Sequence, residues 1–350
     1  MKPRPAAGAA RRGETILVTG TGIDLTLLEP LERQGYTVRR LPSMPDEDKL
    51  IREMQGAVAY LHGGEERATA SALEEAQETL RVVAFLGVGY ENFVDVAAAD
   101  RLDIAVTSTP GAATDAVAAF TVAQIINANW RIPQYLGNHF PGWQGPKELP
   151  RELAARTIGI VGLGAIGTRI AEILRRGFDV PVAYYNRTRK EALERELKIS
   201  FLPLHELAEH SDILVVMVPE TEKTRSMIDA GVITRMRPGT VLVNTARPAV
   251  VDPMALYDGM VEGRVGLAVF DGFYGPDSRA AARLLAEFGQ QLLVTGHIAS
   301  HTRETMDRMV RQAVRSIENV LTYGSDEHEV GSRPRPRFRY PEEKIRHAER

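Results

Sequence analysis

Residues 157–167 read Thr-Ile-Gly-Ile-Val-Gly-Leu-Gly-Ala-Ile-Gly. Strand-forming residues lead directly into Gly162, Gly164 and Gly167, and an amphipathic run from Ile166 to Arg176 follows, so the stretch predicts a strand, a glycine turn and a helix. That spacing in that setting is the pattern of a dinucleotide-binding turn. Gly162 permits the tight turn, Gly164 lets the backbone approach a pyrophosphate, and Gly167 brings the helix close to its strand. The helix N-terminus then offers free N–H groups to phosphate, which makes Gly162, Gly164, Ala165, Ile166 and Gly167 the first expected cofactor contacts.

Downstream, the next strand pattern, Val182 to Tyr185, ends at Asn186, and 186 − 167 = 19. In folds that bind NAD an acidic residue stands about 20 positions on and receives the ribose 2′-hydroxyl. Here the position holds Asn186, followed by Arg187-Thr188-Arg189-Lys190. A 2′-phosphate is repelled by Asp but accepts bonds from guanidinium, amide and hydroxyl groups. Asn186, Arg187 and Thr188 therefore predict NADPH in preference to NADH; the alternative is that the basic run is a solvated helix start.

Upstream and downstream of this unit the chain is long, at 350 residues, with 44% hydrophobic and 25% charged residues, an ordinary globular composition. A formal net charge of −3 gives no reason to expect nucleic acid or an anionic membrane as partner. The absence of cysteine excludes disulfides, thiol chemistry and cysteine-ligated metal, and no metal is expected. No signal-peptide core or bilayer-length apolar run is present, so a cytoplasmic protein is expected.

Residues 1–13, rich in Pro, Ala and Arg, read as a disordered leader. From Glu14 apolar strands alternate with helical patterns up to about residue 113, and six further strands do so from Ile158 to Thr295. The fold class expected is α/β with two doubly wound parallel-sheet domains, one flavodoxin-like and one a Rossmann domain. A long helix from Thr114 to Trp130 and a loop over Pro133 to Pro150 mark the crossing between them, and a last helix, Arg303 to Thr322, can return to the first domain. Domains are expected at 14–113 with 300–323, and at 114–299. Residues 324–350 read as a solvated charged tail, on which Phe338 and Tyr340 can dock. The Thr19-Gly20-Thr21-Gly22 turn lacks a third glycine, and Asp24 is explained as a helix cap, so it is a weak rival phosphate loop.

Two segments just past later strands carry candidate chemistry. Val241 to Asp252 reads VLVNTARPAVVD and places Arg247 after a buried strand, where it can clamp a carboxylate and polarise a neighbouring carbonyl. Asp252-Pro253 already caps the next helix, which leaves Arg247 without that task. Leu292 to Thr302 reads LLVTGHIASHT, with His297 beyond the last strand, where it can move the proton that hydride transfer to a carbonyl requires; His301 is a rival. Val218, Pro219, Thr245, Ala246 and Asp271, at or just past strand ends, are counted with the expected cofactor contacts.

Together with the stretch Phe85 to Asn92, FLGVGYEN, these motifs resemble the D-isomer-specific 2-hydroxyacid dehydrogenase family, which includes glyoxylate and hydroxypyruvate reductases. The resemblance covers roughly Glu14 to Thr322. It implies that the first domain binds substrate and the second the coenzyme, that Arg247 binds the substrate carboxylate with the N–H groups of Val88 and Gly89, and that His297 is the acid/base. The implied partner is a small 2-oxo or 2-hydroxy acid, and the implied assembly a homodimer joined through the coenzyme domains. Oxidation of a small anion such as formate or phosphite, and a nucleotide-sensing protein that has lost catalysis, are the rival readings.

The sequence departs from that pattern in its proton-handling half. The family pairs its histidine with a glutamate five residues after a strand-ending aspartate; counted from Asp271 that position is 271 + 5 = 276, a proline, and an alternative registration gives Phe273. Asp277, Asp271 and Tyr274 are the candidate substitutes. Pro248 follows Arg247 where Gly is usual and biases Arg247 toward an extended backbone, and Gly296 replaces a usual Pro before His297. The Leu61-His62-Gly63-Gly64-Glu65 stretch reads as a mobile loop whose His62 can contact substrate.

Overall fold

In the computed structural model of the chain, the described residues are 13–41, 44–135 and 149–333. They form two compact units: the described residues up to Ala113 together with those from Thr302 onward, and Thr114–His301. Each is built on one parallel sheet.

The first unit contains β1 (Thr15–Val18), β2 (Thr37–Arg40), β3 (Ala57–His62), β4 (Val82–Phe85) and β5 (Ala105–Thr107), in the order β2-β1-β3-β4-β5, which is the flavodoxin-like order. The helices between strands start where short polar side chains cap them: Asp46, Thr69 and Asp95 accept the N–H groups of Lys49, Ala72 and Ala98. Strand residues alternate between faces, Ala59 and Leu61 joining one core and Tyr60 the other. The face with Ala59 and Leu61 is covered by the Arg303–Tyr323 helix, whose Val310, Ala313, Val314, Ile317 and Val320 recur at helical spacing.

The second unit contains β6 (Ile158–Val161), β7 (Val182–Tyr185), β8 (Ser200–Phe201), β9 (Ile213–Val216), β10 (Thr240–Asn244), β11 (Val265–Asp271) and β12 (Leu292–Thr295). Their order, β8-β7-β6-β9-β10-β11-β12, reverses between β6 and β9, the switch point at which such sheets bind ligands. The two-residue β8 escaped the sequence reading because it is too short to show an alternation. Val161 pairs with Tyr185 and Val216, Val216 with Asn244, Asn244 with Phe270, and Asp271 with Thr295. The strands therefore end level, and the residues that follow them line one edge. Leu214 and Val216 face one core while Ile213 and Val215 face the other. Ala118, Val122 and Ile125 of the Thr114–Trp130 helix pack there with Ile170 and Leu174.

The solvated tail expected from Gly324 is corrected by the structure as far as Arg333. Gly324 ends the preceding helix with φ 78, and β13 (Glu329–Val330) then pairs antiparallel with β5, Glu329 opposite Thr107. Asp326 accepts from Ser316 at 3.0 Å and Asn319 at 2.7 Å. The Arg333 side chain, 7% exposed, pairs with Glu329 and Asp103 at 2.9 Å each. A buried carboxylate such as Glu329 needs such donors, and Arg333, four residues on, brings Asp103 of the first unit into the same network. Phe338 and Tyr340, residues 1–12 of the leader and residues 136–148 of the connecting loop lie outside the described residues. No helix among the described residues is long and apolar enough to cross a membrane.

Candidate active site

The glycine turn follows β6. Gly162 has φ 104, and a Cβ on it would stand 2.5 Å from the Met217 carbonyl oxygen. A Cβ on Gly167 would collide with the Gly162 carbonyl oxygen, whereas one on Gly164 would meet nothing within 4 Å. Two glycines are thus required by the protein's own packing, and the middle one leaves open space. Gly164 begins the Ala165–Phe178 helix without a side-chain cap, so the first-turn N–H groups of Ala165, Ile166 and Gly167 remain for an acceptor from outside the chain. These features fit a dinucleotide pyrophosphate. The rival turn at Thr19–Gly22 is closed: a Cβ on Gly20 would collide with the Gly63 backbone, and Asp24 caps the next helical turn.

Asn186 braces this region from the end of β7. Its Oδ1 accepts the Leu163 N–H at 3.2 Å, and its Nδ2 donates to the Thr188 carbonyl at 2.8 Å. Arg189 forks onto Glu194 at 2.8 and 2.7 Å. That fork, helped by the Tyr184 hydroxyl, holds the Glu194 carboxyl at about 2. Arg187 and Thr188 are exposed. Arg187 has neither a hydrogen bond nor an ion pair among the described residues, so of the two arginines in the basic run it is the one left for a ligand. On the neighbouring strand ends, Val218 is half-buried and Pro219 exposed, with the Pro219 carbonyl accepting the Thr224 hydroxyl at 2.6 Å. The buried Thr245 hydroxyl bonds Thr121 at 2.7 Å, and the Ala246 N–H donates to Asn244 at 3.0 Å.

Arg247 has φ −136 and ψ 133, the extended backbone that Pro248 imposes. Asn244 Nδ2 donates to its carbonyl at 2.9 Å, and its own Nη1 donates to the Ala246 carbonyl at 2.9 Å. Asp252 caps the Pro253–Val261 helix through the N–H groups of Met254 and Ala255, as expected.

His297 follows β12, half-buried, with φ 57. A left-handed backbone is uncommon outside glycine and clusters at functional sites. Its ring lies beside Gly272, where an added Cβ would stand 3.8 Å from Cγ and 3.9 Å from Nδ1. The candidate partners from the sequence are placed differently from expectation. Asp271 is 2% exposed and accepts the Thr295 hydroxyl at 2.6 Å and the Ile298 and Ala299 N–H groups at 2.9 Å each. Its carboxylate thereby holds the turn carrying His297. Tyr274 donates to the Val251 carbonyl at 2.9 Å, and burial, with the charge of Asp252, raises its pKa well above the usual tyrosine range. Phe273 packs with Phe270 and Tyr274. Asp277 is exposed, on the turn before the Ser278-capped helix, and bonds to no described residue. His301 is exposed, its N–H bonded to the Ile298 carbonyl at 2.9 Å. Thr295 and Thr121 were not singled out from the sequence: their bonds to Asp271 and Thr245 join residues distant in the chain, so no local signal marks them.

In the first unit, Val88 is 51% exposed and Gly89 half-buried on the turn after β4. Neither N–H has an acceptor among the described residues. The turn is pinned at Gly87, which exchanges hydrogen bonds of 2.8 Å with the Thr109 hydroxyl and N–H. His62, expected on a mobile loop, is instead the last residue of β3, 0% exposed. Its ring packs against Tyr60 and Phe85 with centroids 5.1 and 5.3 Å apart. Burial holds its imidazole below the ordinary histidine range, against the pull of Glu66. The apolar neighbours that enclose the ring remove it from substrate contact.

The family model for the D-isomer specific 2-hydroxyacid dehydrogenase NAD binding domain matches residues 122–299. The chain is 37% identical over 254 residues to a glyoxylate reductase of Aeropyrum pernix, covering 70% of this chain and 73% of the relative. It is 35% identical over 257 residues to a glyoxylate reductase of Korarchaeum cryptofilum, covering 71% and 74%. The crystal structure of an NADPH-dependent glyoxylate/hydroxypyruvate reductase from Sinorhizobium meliloti, in complex with NADP and malonate, superposes with a TM-score of 0.74 at 28% identity, covering 93% of this chain and 100% of that one. With the open glycine turn, the level strand ends and these likenesses in hand, the chain belongs to the D-isomer-specific 2-hydroxyacid dehydrogenase family and is an NAD(P)-dependent oxidoreductase.

Proposed function

We propose that the chain interconverts a small 2-oxo acid and its D-2-hydroxy acid, with NADPH preferred over NADH and reduction as the working direction. The observation that carries this reading is the common edge of the second unit: the glycine turn, Arg247 and His297 all follow strands whose ends are level. The glyoxylate reductases among the relatives support the substrate class.

When bound, the nicotinamide supplies the hydride or takes it back. The residues that would hold the dinucleotide are the Gly162–Gly167 turn with its helix N–H groups, then Asn186, Arg187 and Thr188 for a 2′-phosphate, and Val218, Pro219, Thr245 and Ala246 along the strand ends. Arg247 presents a fork of donors suited to a substrate carboxylate, and the N–H groups of Val88 and Gly89, which have no acceptor among the described residues, are assigned as carboxylate donors. His297 gives a proton to the carbonyl oxygen as negative charge develops there, and takes it back in the reverse direction. Asp271 keeps His297 in its turn. A homodimer through the second unit is part of this proposal; that unit exposes Trp130 and Tyr135.

The test is turnover of a panel of 2-oxo acids, glyoxylate first, with each cofactor, for the wild type and His297→Ala. NADPH oxidation that His297→Ala abolishes, with NADPH binding preserved, is the expected result. Tight NADPH binding with no turnover across the panel would replace this reading with a nucleotide-sensing protein, and turnover of formate or phosphite alone would replace the substrate class.

A further inference from the structure

Two buried polar atoms of the first unit, His62 Nδ1 and Glu66 Oε2, have no hydrogen-bond partner among the described residues, and the chemistry proposed above uses neither residue. Glu66 is 7% exposed. Its Oε1 accepts the hydroxyls of Thr19 and Tyr60, the latter at 2.6 Å, and stands 3.9 Å from His62 Nδ1. His62 Nε2 donates to the Glu66 carbonyl at 2.8 Å, which closes the chain between them. A Cβ on Gly64 would meet Glu66 Oε2, so any side chain there would have to displace the carboxylate. A carboxylate with one oxygen unsatisfied is a costly thing to bury, so its presence asks what the network holds.

The backbone supplies the answer. Leu86 N–H donates to the His62 carbonyl at 2.9 Å, Ala68 N–H to the Phe93 carbonyl at 2.8 Å, and Asp95 N–H to the Ala68 carbonyl at 3.0 Å. Residues 86–95, which include Val88 and Gly89, are thus tied at both ends to the segment 62–68. Glu66 lies in the middle of that segment and anchors it to Thr19 and Tyr60, beyond β1 and within β3. Phe93 stacks on Phe85 with centroids 5.4 Å apart and meets the His62 ring edge-on, so the far end of the turn rests on the same cluster.

We propose that Glu66 is a positioning residue for substrate: through the 62–68 brace it sets the direction of the Val88 and Gly89 N–H groups that receive the substrate carboxylate. The proposal rests on the assignment of those two N–H groups made above. Glu66→Ala removes the acceptor of both hydroxyls, whereas Glu66→Gln keeps a carbonyl oxygen in its place and serves as the conservative rescue.

The experiment combines steady-state kinetics on glyoxylate with hydrogen exchange of the full chain. Glu66→Ala is expected to raise KM about tenfold with kcat within about twofold. NADPH affinity is unchanged, exchange is faster across residues 86–95, and Glu66→Gln returns most of the KM. A loss of kcat alone, or a KM that does not move while exchange rises, overturns the positioning role. Exchange of residues 86–95 equal to wild type overturns the brace itself, and this readout decides the matter even if the wild type turns over no 2-oxo acid, an outcome that counts against the function proposed above. Should Glu66→Ala fail to fold, Thr19→Val and Tyr60→Phe each remove one hydroxyl donor; smaller KM increases from each are expected, and none from either overturns the proposal.

Discussion

Asp271 Oδ2 accepts the Ala299 N–H at 2.9 Å while its Oδ1 accepts that of Ile298 at the same distance. The carboxylate that ends β11 therefore fixes the turn on which His297 stands in its left-handed conformation. Asp271→Ala leaves the Ile298 and Ala299 N–H groups without their acceptor and the Thr295 hydroxyl with the Phe270 carbonyl at 3.3 Å, and a buried donor so stranded, as that of Ala299 is, costs about 1–3 kcal/mol. Urea unfolding is expected to show that loss, and the rate of 2-oxo acid reduction to fall more than about tenfold as His297 loses its placement. An Asp271→Ala protein with wild-type kcat would show that the turn holds itself.

The glycine turn separates fold from ligand. Gly167→Ala drives a methyl into the Gly162 carbonyl and is expected to unfold or weaken the second unit. Gly164→Ala meets open space, so its stability should stay within about 0.5 kcal/mol of wild type, while NADPH affinity falls by at least about tenfold as the methyl obstructs the pyrophosphate. Thermal unfolding and fluorescence titration of NADPH check the pair. Unchanged affinity in Gly164→Ala would place the phosphates elsewhere.

Cofactor choice is expected to depend on Arg187, because Arg189 is already forked onto Glu194. Arg187→Ala should weaken NADPH about tenfold and leave NADH within about twofold, as loss of one charge-assisted contact to a 2′-phosphate requires. Asn186→Asp should turn the preference toward NADH. Equal losses for both cofactors would remove the 2′-phosphate from this account.

Arg333 tests the docked chain end. Its guanidinium is the partner of the buried Glu329 carboxylate, and removing one member of a buried pair costs about 3–5 kcal/mol. Arg333→Ala is expected to lower the denaturation midpoint of the first unit by a corresponding amount, with NADPH binding to the second unit intact.

What could be read in the sequence was whatever neighbours in the chain decide. The strands of both sheets show as apolar runs, the caps at Asp24 and Asp252 as polar residues before helical turns, and the glycine turn as spacing. Arg247 was legible for the same reason, since Pro248 sets its backbone locally. Asp271 was seen, but not its hold on the turn of His297: its donors lie more than twenty residues away on β12 and the turn beyond, and only strand pairing brings them together. His62 misled in the opposite sense, a polar residue beside glycines that read as a loop and folds as core. The residues after Gly324 read as solvated because Asp326 finds its partners on the preceding helix, the Glu329 backbone pairs with β5, and Arg333 reaches Asp103.

The Arg303–Tyr323 helix and β13 complete a unit whose other parts end at Ala113. On the ribosome, the intervening residues are a finished stretch of chain while the first unit still lacks Val310, Val314, Ile317 and Val320 from its core. Synthesis therefore lets the nucleotide-binding unit fold first and leaves its companion with an uncovered sheet face until the Arg303–Tyr323 helix has emerged.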